Sequence, residues 1–302
     1  MPWKLTLGAR HRFLHTACPD VVVMQGVRHP LNRPGLYPGQ RIVLDVDDAD
    51  FHLEHLADPM RRAMPDVAAV AAGSRYIADW AVAHGAPRAT VIWTGTPVSD
   101  RAADPQTIRS PIVAWAQTRP ETYGREARLV ARVMTRVAAA RPGVTLRLYD
   151  RRARGDETFL DQFRSPGLLL DWRAPCSYRE YLKSFGDVAI GLAPLCSDTP
   201  FSRGKSFGKI LAYLDRDVAV VGSAAGEQFR FFTEETAILS NNEDRWVAGI
   251  VSLLDMPALR QNLVDAAHKH YLTRLSTSAA AARLADLLAT VADDGPLTSA
   301  CS

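Results

Sequence analysis

A cluster of basic side chains within residues 187–226 offers the clearest chemistry in the sequence. Three cations stand within seven residues of one another, namely Arg203, Lys205 and Lys209. They lie where an apolar run typical of a buried strand, residues 188–192, gives way to an apolar helix predicted over residues 207–214. A helix start presents unpaired backbone N–H groups and the positive end of the helix dipole, so added cations there favour a bound anion. A solvated basic loop is the alternative interpretation.

The small residues of this segment agree with an anion site. Gly204 and Gly208 would let the backbone approach a ligand closely. Ser206 lacks the G-x-S-x-G context of a hydrolase nucleophile. The tripeptide 204–206 matches the end of a P-loop, but Thr199 stands where that motif needs its first glycine, which argues against a P-loop kinase.

The elements that must position these residues alternate along the chain. Strands are predicted over residues 21–24, 41–45, 67–71, 90–93, 112–115, 145–149, 168–171, 188–192 and 218–221. Most are continuous apolar runs, which are typical of strands covered on both faces. The clearest helix is predicted over residues 121–140, before Pro142-Gly143. This alternation predicts right-handed βαβ units, parallel sheets and an α/β fold class.

The length of 302 residues favours two domains over one. A polar stretch without periodicity at residues 96–110 is the best linker candidate. It separates an N-terminal domain, residues 1–95, from a C-terminal domain, residues 111–285. Residues 286–302 are expected to form a tail.

The composition is that of an ordinary globular protein, with 47% apolar and 23% charged residues. A net charge of +3 gives no global field for nucleic acid. The four cysteines form no C-x-x-C pair, which predicts neither a disulfide framework nor a zinc site: Cys18, Cys176, Cys196 and Cys301. No apolar run could span a membrane and the first residues do not resemble a signal peptide, so we expect a cytoplasmic protein.

Residues 187–213 resemble the bacterial GT4-like retaining glycosyltransferases. Their equivalent stretch runs D-V-G-L-A-P-L and then D-T-P-F-N-R-G-K-S-x-x-K-L-L-E-Y, against D-V-A-I-G-L-A-P-L and D-T-P-F-S-R-G-K-S-F-G-K-I-L-A-Y here. Weaker similarity covers most of residues 20–285. It includes residues 73–76 and 91–95, which look like a helix start and a hinge of that family.

The resemblance implies a GT-B fold, in which two Rossmann-like parallel-sheet domains face a cleft. By the resemblance, the second domain holds a nucleotide-diphosphate sugar, and closure about Gly95 excludes water. Arg203, Lys205 and Lys209 would then contact the donor diphosphate and stabilise the charge that develops on the leaving group. Such enzymes need no metal ion and no further cofactor. The implied donor-binding set is Gln117, Thr118, Arg203, Gly204, Lys205, Ser206 and Lys209, to which we add Glu227 as a candidate ribose ligand. A simple turn before Pro120 is the alternative interpretation of residues 117–119.

One departure bears on the donor. The family places a glutamate that holds the donor ribose three residues after the last lysine, and this position is Ala212 here. Either another carboxylate such as Glu227 takes over, or donor binding is altered. The N-terminal domain is also shorter than the resemblance implies. It is absent in part, abbreviated, or completed by a second copy in a homo-oligomer.

Two further residues are candidates for chemistry on the acceptor side. Asp47, in Asp45-Val-Asp47-Asp48, follows a predicted strand, and a D-x-D in that place is how other transferases hold a metal. We favour the interpretation that Asp47 or Asp48 caps a helix starting near Ala49, with an acceptor-side role for Asp47 left open. His29 also follows a strand and is our candidate for the acceptor base, although a lone histidine is more often structural.

The remaining basic cluster, Arg151, Arg152 and Arg154, follows the strand that ends before Asp150. It is typical of a solvated face, with nucleotide or acceptor binding as the alternative.

Three functions remain open. The leading one is a metal-independent retaining hexosyltransferase whose acceptor is a saccharide, lipid, small molecule or modified nucleic acid. The alternatives are a catalytically silent nucleotide-sugar-binding regulator and a transferase that acts on modified nucleic-acid bases.

Overall fold

The computed structural model describes residues 3–99, 104–150 and 156–294. Its strands are β1 (Val22–Gln25), β2 (Ile42–Val46), β3 (Ala69–Ala72), β4 (Ala89–Val91), β5 (Ser110–Trp115), β6 (Val144–Tyr149), β7 (Leu168–Arg173), β8 (Val188–Ala193), β9 (Ala219–Gly222) and β10 (Ile238–Leu239). Its helices are α1 (Trp3–Ala17), α2 (Glu54–Ala63), α3 (Arg75–Ala83), α4 (Gly124–Ala140), α5 (Glu157–Asp161), α6 (Tyr178–Lys183), α7 (Pro200–Arg203), α8 (Ile210–Asp215), α9 (Gln228–Phe231), α10 (Glu243–Asp255), α11 (Pro257–Arg274) and α12 (Thr277–Ala292).

Two parallel sheets confirm the predicted α/β fold class. One has four strands in the order β1-β2-β3-β4, and the other has six in the order β10-β9-β8-β5-β6-β7. All nine predicted strands are present, displaced by one or two residues, and the two-residue β10 was not predicted. The apolar runs form strands because parallel strands are buried on both faces, as the fully buried residues of β3, β8 and β9 show.

The chain divides into two compact units. The first unit comprises Met1–Gly95, Thr199–Ser206 and Thr277–Ser302, and the second comprises Thr96–Asp198 and Phe207–Ser276. This grouping differs from the domain boundaries expected from the sequence, because residues 199–206 and 277–285 belong to the first unit. Linear order alone does not reveal that the chain returns to a sheet it has already left.

The first unit is closed on one face of its sheet by the C-terminal helix. Leu287 and Val291 of α12 are buried against Val43, Ala69 and Ala71 of β2 and β3. The guanidinium of Arg41 donates to the carbonyl of Ala292 at 2.7 Å. The expectation of a tail from residue 286 is therefore wrong up to Ala292, because these apolar residues complete a core.

The expected linker is part of the second unit. The amide and hydroxyl of Ser99 donate to the carboxylate of Asp215 at 2.8 and 2.7 Å. The buried Arg109 donates to the carbonyls of Val188 and Arg216 at 2.8 and 2.9 Å. The segment looked unstructured because its anchors are polar side chains bound to backbone groups, which leave no hydrophobic period.

One cysteine departs from the sequence expectation. Cys18 is disulfide-bonded, whereas Cys176 and Cys196 are free thiols. Wide spacing in sequence does not exclude a disulfide, because folding decides which cysteines meet.

Candidate functional site

A cavity of about 360 Å³ opens in the second unit at the carboxyl ends of neighbouring strands. Residues that follow β5, β6 and β7 line it together with the start of α8. Ligands of open α/β sheets bind beyond the carboxyl ends of the strands, so the location is that of a ligand site. The lining residues are Gln117, Thr118, Tyr149, Asp150, Arg173, Ala174, Pro175, Cys176, Tyr178, Tyr181, Gly208, Lys209, Leu211 and Ala212.

Three of the residues implied by the resemblance meet in this cavity. Gln117 and Thr118 follow β5, and Lys209 immediately precedes α8. The ammonium of Lys209 donates to the hydroxyl oxygen of Thr118 at 2.8 Å. A cation and two polar side chains thus line one cavity, an arrangement that can bind a phosphate group.

Helix α8 is held in place by a buried tyrosine. The hydroxyl of Tyr213 accepts from the amide of Ala116 at 2.9 Å and donates to the carbonyl of Ala114 at 3.2 Å. Complete burial raises the pKa of Tyr213, so the phenol stays protonated. A Cβ on Gly191 would come within 2.5 Å of the Tyr213 ring, so this glycine gives the ring its place on β8. The start of α8, and with it Lys209, is therefore fixed against β5 and β8.

The residues that line the cavity at the ends of β6 and β7 were not predicted as site residues. Asp150 and Arg173 stand at the ends of these strands and line the cavity with Cys176 and Tyr178. The guanidinium of Arg173 pairs with Asp171 at 2.8 Å. Their positions at strand ends were the signal available in the sequence, since every such residue of a parallel sheet points to the ligand edge.

The position of the family glutamate also faces the cavity. Ala212 is 4% exposed and lies one helical turn after Lys209, so both residues line the same space. Among the lining residues Asp150 is the sole carboxylate. The wall beside Lys209 is therefore apolar, formed by Leu211 and Ala212.

The other two cations of the predicted cluster lie in the first unit. Arg203 is the exposed last residue of α7, and the Lys205 ammonium lies 5.5 Å from the ring centroid of Phe201. The prediction of a helix over residues 207–214, with Lys209 in its first turn, is wrong at its start. Gly208 has a φ of +20°, so the helix begins only at Ile210, with Lys209 as the residue before it.

Gly204 has a packing role in the first unit. A Cβ at this position would overlap the Cβ of Ala49 and would lie 3.4 Å from the ring of Tyr76. Gly204 therefore lets the backbone pack closely against Ala49. Ser206, two residues on, places its hydroxyl oxygen 3.4 Å from that of Thr94.

Asp47 stands at the carboxyl edge of the first sheet. Its carboxylate accepts from the hydroxyl of Thr94 at 2.6 Å, and a Cβ on Gly73 would lie 2.9 Å from the same carboxylate. Although the residue as a whole is exposed, partial burial of the carboxylate raises its pKa, and the nearby Asp48 acts in the same direction. A carboxylate in this state can accept a proton more readily than an ordinary aspartate.

The capping role favoured for Asp47 or Asp48 is wrong. A 3₁₀ turn starts at Asp50, and its N-cap residue, Ala49, makes no side-chain capping bond. Asp48 instead pairs with the guanidinium of Arg28 at 3.0 Å, which also binds Asp50 at 2.7 Å. These ion pairs hold the loop after β1 against the loop after β2.

His29 follows β1 in a tight, exposed turn. Its Nδ1 accepts from the amide of Leu31 at 3.1 Å, and its carbonyl accepts from the amide of Asn32 at 2.8 Å. One ring nitrogen therefore stabilises the turn. A role as acceptor base stays a prediction.

Glu227 follows Gly226, whose φ is +59°, in the turn after β9. It is 4% exposed and lies 4.0 Å from the Nε atom of Arg230. It does not line the cavity of the second unit. Arg151, Arg152 and Arg154 lie outside the described residues.

Within the part of the chain that the structure describes, no three His, Cys, Asp or Glu side chains are grouped so that they could hold a metal ion. None of the helices described is both long and apolar enough to cross a membrane.

Comparison with known proteins identifies the fold. No protein-family model matches the chain, and no curated protein matches its sequence. A glycosyltransferase from Rickettsia africae ESF-5 is similar in structure with a TM-score of 0.71 and 9% identity, over 96% of this chain and 81% of that one. The Anabaena protein HepE in complex with UDP-glucose gives a TM-score of 0.66 and 13% identity, over 94% and 82% of the two chains.

A third solved structure agrees. Sucrose-phosphate synthase from Thermosynechococcus elongatus gives a TM-score of 0.65 at 13% identity, over 95% of this chain and 77% of the synthase. At these identities the likeness shows the fold: the chain has the GT-B fold of its structural neighbours. The narrower resemblance to the GT4 group rests on the residues quoted above.

Proposed function

We propose that this protein is a glycosyltransferase that moves a sugar from a nucleotide-diphosphate sugar to an acceptor. The observation that carries the proposal is the cavity of the second unit, in which Lys209, Thr118 and Gln117 meet at the carboxyl edge of the sheet. The GT-B fold supports it, because solved structures of this fold include proteins in complex with UDP and UDP-glucose.

In this proposal the donor diphosphate lies beside Lys209. Cleavage of the bond between sugar and diphosphate leaves negative charge on the departing nucleoside diphosphate. The Lys209 ammonium, oriented by Thr118, would stabilise that charge more strongly as it develops, and this lowers the barrier. Arg173, which also lines the cavity, adds a second cation. We further propose that the transfer retains the anomeric configuration of the sugar and needs no metal ion. The resemblance over residues 187–213 supports both points.

The first unit would receive the acceptor. Asp47 has the raised pKa and the hydrogen-bonded position of a group that accepts a proton from an attacking hydroxyl. His29 is the second candidate for this role. Arg203, Lys205 and Ser206 lie in the same unit. Their contact with the donor diphosphate stays a prediction from the resemblance. The acceptor itself stays unassigned among saccharides, lipids, small molecules and nucleic-acid bases.

A second candidate function is favoured by one observation. Ala212 lines the cavity where the resemblance implies a ribose-binding carboxylate. Loss of that carboxylate would suit a protein that binds nucleotide sugars without turnover and acts as a regulator. Binding of donor without release of nucleoside diphosphate would distinguish this function from transfer.

A thermal-shift panel tests both candidates. The chain is heated with UDP, GDP, CDP, ADP and TDP, beginning with UDP because HepE has been solved with it. The wild-type protein is compared with Lys209→Ala and with a control, Lys183→Ala, which removes an exposed lysine of the same unit outside the cavity. We expect at least one nucleotide to raise the Tm of the wild type and the control, and the Lys209 variant to lose that shift.

The outcomes separate the hypotheses. No shift with any nucleotide, or equal shifts in the wild type and Lys209→Ala, would overturn the proposed site. A shift accompanied by hydrolysis or transfer of the matching nucleotide sugar supports the enzyme, and a shift without turnover supports the regulator. A cytoplasmic location and a homo-oligomer stay predictions. The free thiols of Cys176 and Cys196 agree with the former, and the disulfide at Cys18 does not.

A further inference from the structure

Helix α1 has an unusual charge composition for a helix of the first unit. Its fifteen residues include no Asp or Glu. Its basic and titratable residues are Lys4, Arg10, His11, Arg12 and His15. All charged side chains of this helix are therefore basic, in a chain whose total net charge is only +3.

One face of α1 is fixed to the rest of the first unit. Leu7 and Leu14 are partly buried against the core formed by β1, β2 and β3. The Arg10 guanidinium donates to the side-chain oxygen of Asn32 at 3.1 Å and to the hydroxyl of Tyr37 at 3.2 Å. These contacts present the opposite face of the helix to the surroundings.

Large apolar side chains of α1 are exposed. Leu5 is 61% exposed and Phe13 is 69% exposed. Phe13 also lines a cavity of about 440 Å³ between α1 and β1, which Val23, 45% exposed, lines from the strand. Among the described residues of the first unit, four large apolar side chains are exposed, and Val82 is the only one of them outside this patch. We call Leu5, Phe13, Val23 and the exposed Arg12 the α1 patch.

We propose that the α1 patch binds the surface of an anionic lipid bilayer. Phe13 and Leu5 would enter the boundary between headgroups and acyl chains, and Arg12 would lie among the phosphates. A basic helix that exposes apolar side chains is the kind of element that lies in a membrane interface. The apolar cavity beside Phe13 offers room for part of an acyl chain once the helix is seated.

The charge of α1 selects this partner over a second copy of the chain. Two α1 patches brought face to face would place like charges together without a single carboxylate on either helix, and this opposes pairing. An anionic bilayer supplies the missing negative charge, and each Lys or Arg near such a surface strengthens binding by roughly fivefold. The inference concerns where the protein works and does not depend on the proposed transfer reaction.

Vesicle co-sedimentation tests the proposal. The full chain is mixed with vesicles of phosphatidylcholine alone or of phosphatidylcholine with phosphatidylglycerol, at low and at physiological salt. We expect binding to the anionic vesicles, at least about tenfold weaker binding to the neutral ones, and weakening by salt. Phe13→Ser and Arg12→Glu should each reduce the anionic partition coefficient by about tenfold or more. Val82→Ser removes an exposed apolar side chain elsewhere in the same unit and should leave binding unchanged.

Circular dichroism and the Tm check that each variant is folded. Leu5→Ser provides a second variant of the patch if Phe13→Ser is unstable. Absence of binding to anionic vesicles at low salt would overturn the proposal, and so would equal losses for Phe13→Ser and Val82→Ser. Sedimentation velocity gives the other decisive outcome: self-association abolished by Phe13→Ser, together with no vesicle binding, would assign the patch to a second copy instead.

Discussion

The Lys209 ammonium and the Thr118 hydroxyl meet at 2.8 Å, although 91 residues separate them in the sequence. Thr118 belongs to the loop after β5, and Lys209 is the residue before α8. The contact joins two of the elements that line the cavity. It also gives a flexible lysine a defined direction, which a group that must meet developing charge requires.

Thr118→Val tests this orienting role. The substitution keeps the shape of the side chain and removes the oxygen that accepts from Lys209. A hydrogen bond to a charged group contributes about 1.5–3 kcal/mol, so nucleoside diphosphate affinity should fall by roughly tenfold, less than the loss in Lys209→Ala. Isothermal titration with the nucleotide that gives the largest thermal shift provides the measurement. Thr273→Val, on the exposed side of α11, is the control and should bind like the wild type. Unchanged affinity in Thr118→Val would show that the contact does not serve binding.

The fold was more predictable than the site. Nine strands could be located because burial on both faces leaves continuous apolar runs such as those of β3 and β8. Helix α12 escaped prediction as part of the first unit, since Leu287 and Val291 meet β2 and β3 only after the chain has passed through the whole second unit. A local hydrophobic pattern indicates that a face is buried and cannot indicate which sheet covers it.

Ala212 predicts an unusual tolerance toward the sugar of the nucleotide. The next group along a nucleotide from a diphosphate beside Lys209 is the ribose, and the wall one helical turn on is the apolar Ala212. No carboxylate there accepts the ribose hydroxyls, so UDP and 2′-deoxy-UDP should bind with affinities within about threefold of each other. Ala212→Glu should restore a preference for UDP of roughly tenfold or more. The ribose diol of UDP, which 2′-deoxy-UDP lacks, would then donate hydrogen bonds to the charged carboxylate.

Competition titrations of the two nucleotides measure the ratio. Ala212→Gln is the matched control, because it has the size of the glutamate variant without its charge. A wild-type preference for UDP of tenfold or more would mean that another group, such as Asp150 in the same cavity, binds the ribose hydroxyls. Failure of both nucleotides to bind would instead contradict the proposed donor site.

The residues expected to form one cationic cluster show what spacing could not determine. Arg203, Lys205 and Lys209 are close in sequence, yet Gly208 interrupts the helix and the chain changes unit between Ser206 and Phe207. Lys209 lines the cavity of the second unit, and its expected role toward the donor stays a prediction. Neither the change of unit after Ser206 nor the φ of +20° at Gly208 is encoded in a hydrophobic period.

The Asp47 carboxylate predicts a pH dependence of stability. Its pKa is raised above the ordinary value of 3.8, first by burial, and Asp48 adds repulsion. The folded state then holds the proton more tightly than the unfolded state. The stabilising contribution of the protonated group is complete below pH 3.8 and is lost as the pH rises through the folded pKa.

Asp47→Asn removes this titration. Relative to the wild type, the free energy of unfolding of the variant should rise between pH 4 and pH 7, by no more than about 1 kcal/mol because the residue is exposed. The pKa of Asp45, raised by burial and by the charge of Asp47, should also fall. Urea titrations across this range measure the difference. Asp48→Asn is the control of opposite sign, since it removes an acceptor of Arg28 and should slightly destabilise the protein at neutral pH. A constant difference across the range would contradict the assignment.

Gly204→Ala distinguishes packing from ligand approach at the glycine between Arg203 and Lys205. The added methyl group would overlap the Cβ of Ala49, which is 1% exposed and cannot move into solvent. Overpacking of this kind costs about 1–3 kcal/mol, so the Tm should fall by several degrees. Ala49→Gly opens the space, and the double variant should therefore recover part of the loss as a favourable coupling energy. Gly8→Ala, where a Cβ meets nothing within 4 Å, should leave stability equal or higher. If Gly204→Ala kept the wild-type Tm and lost only nucleotide binding, the glycine would serve the ligand and the contact with Ala49 would not limit this position.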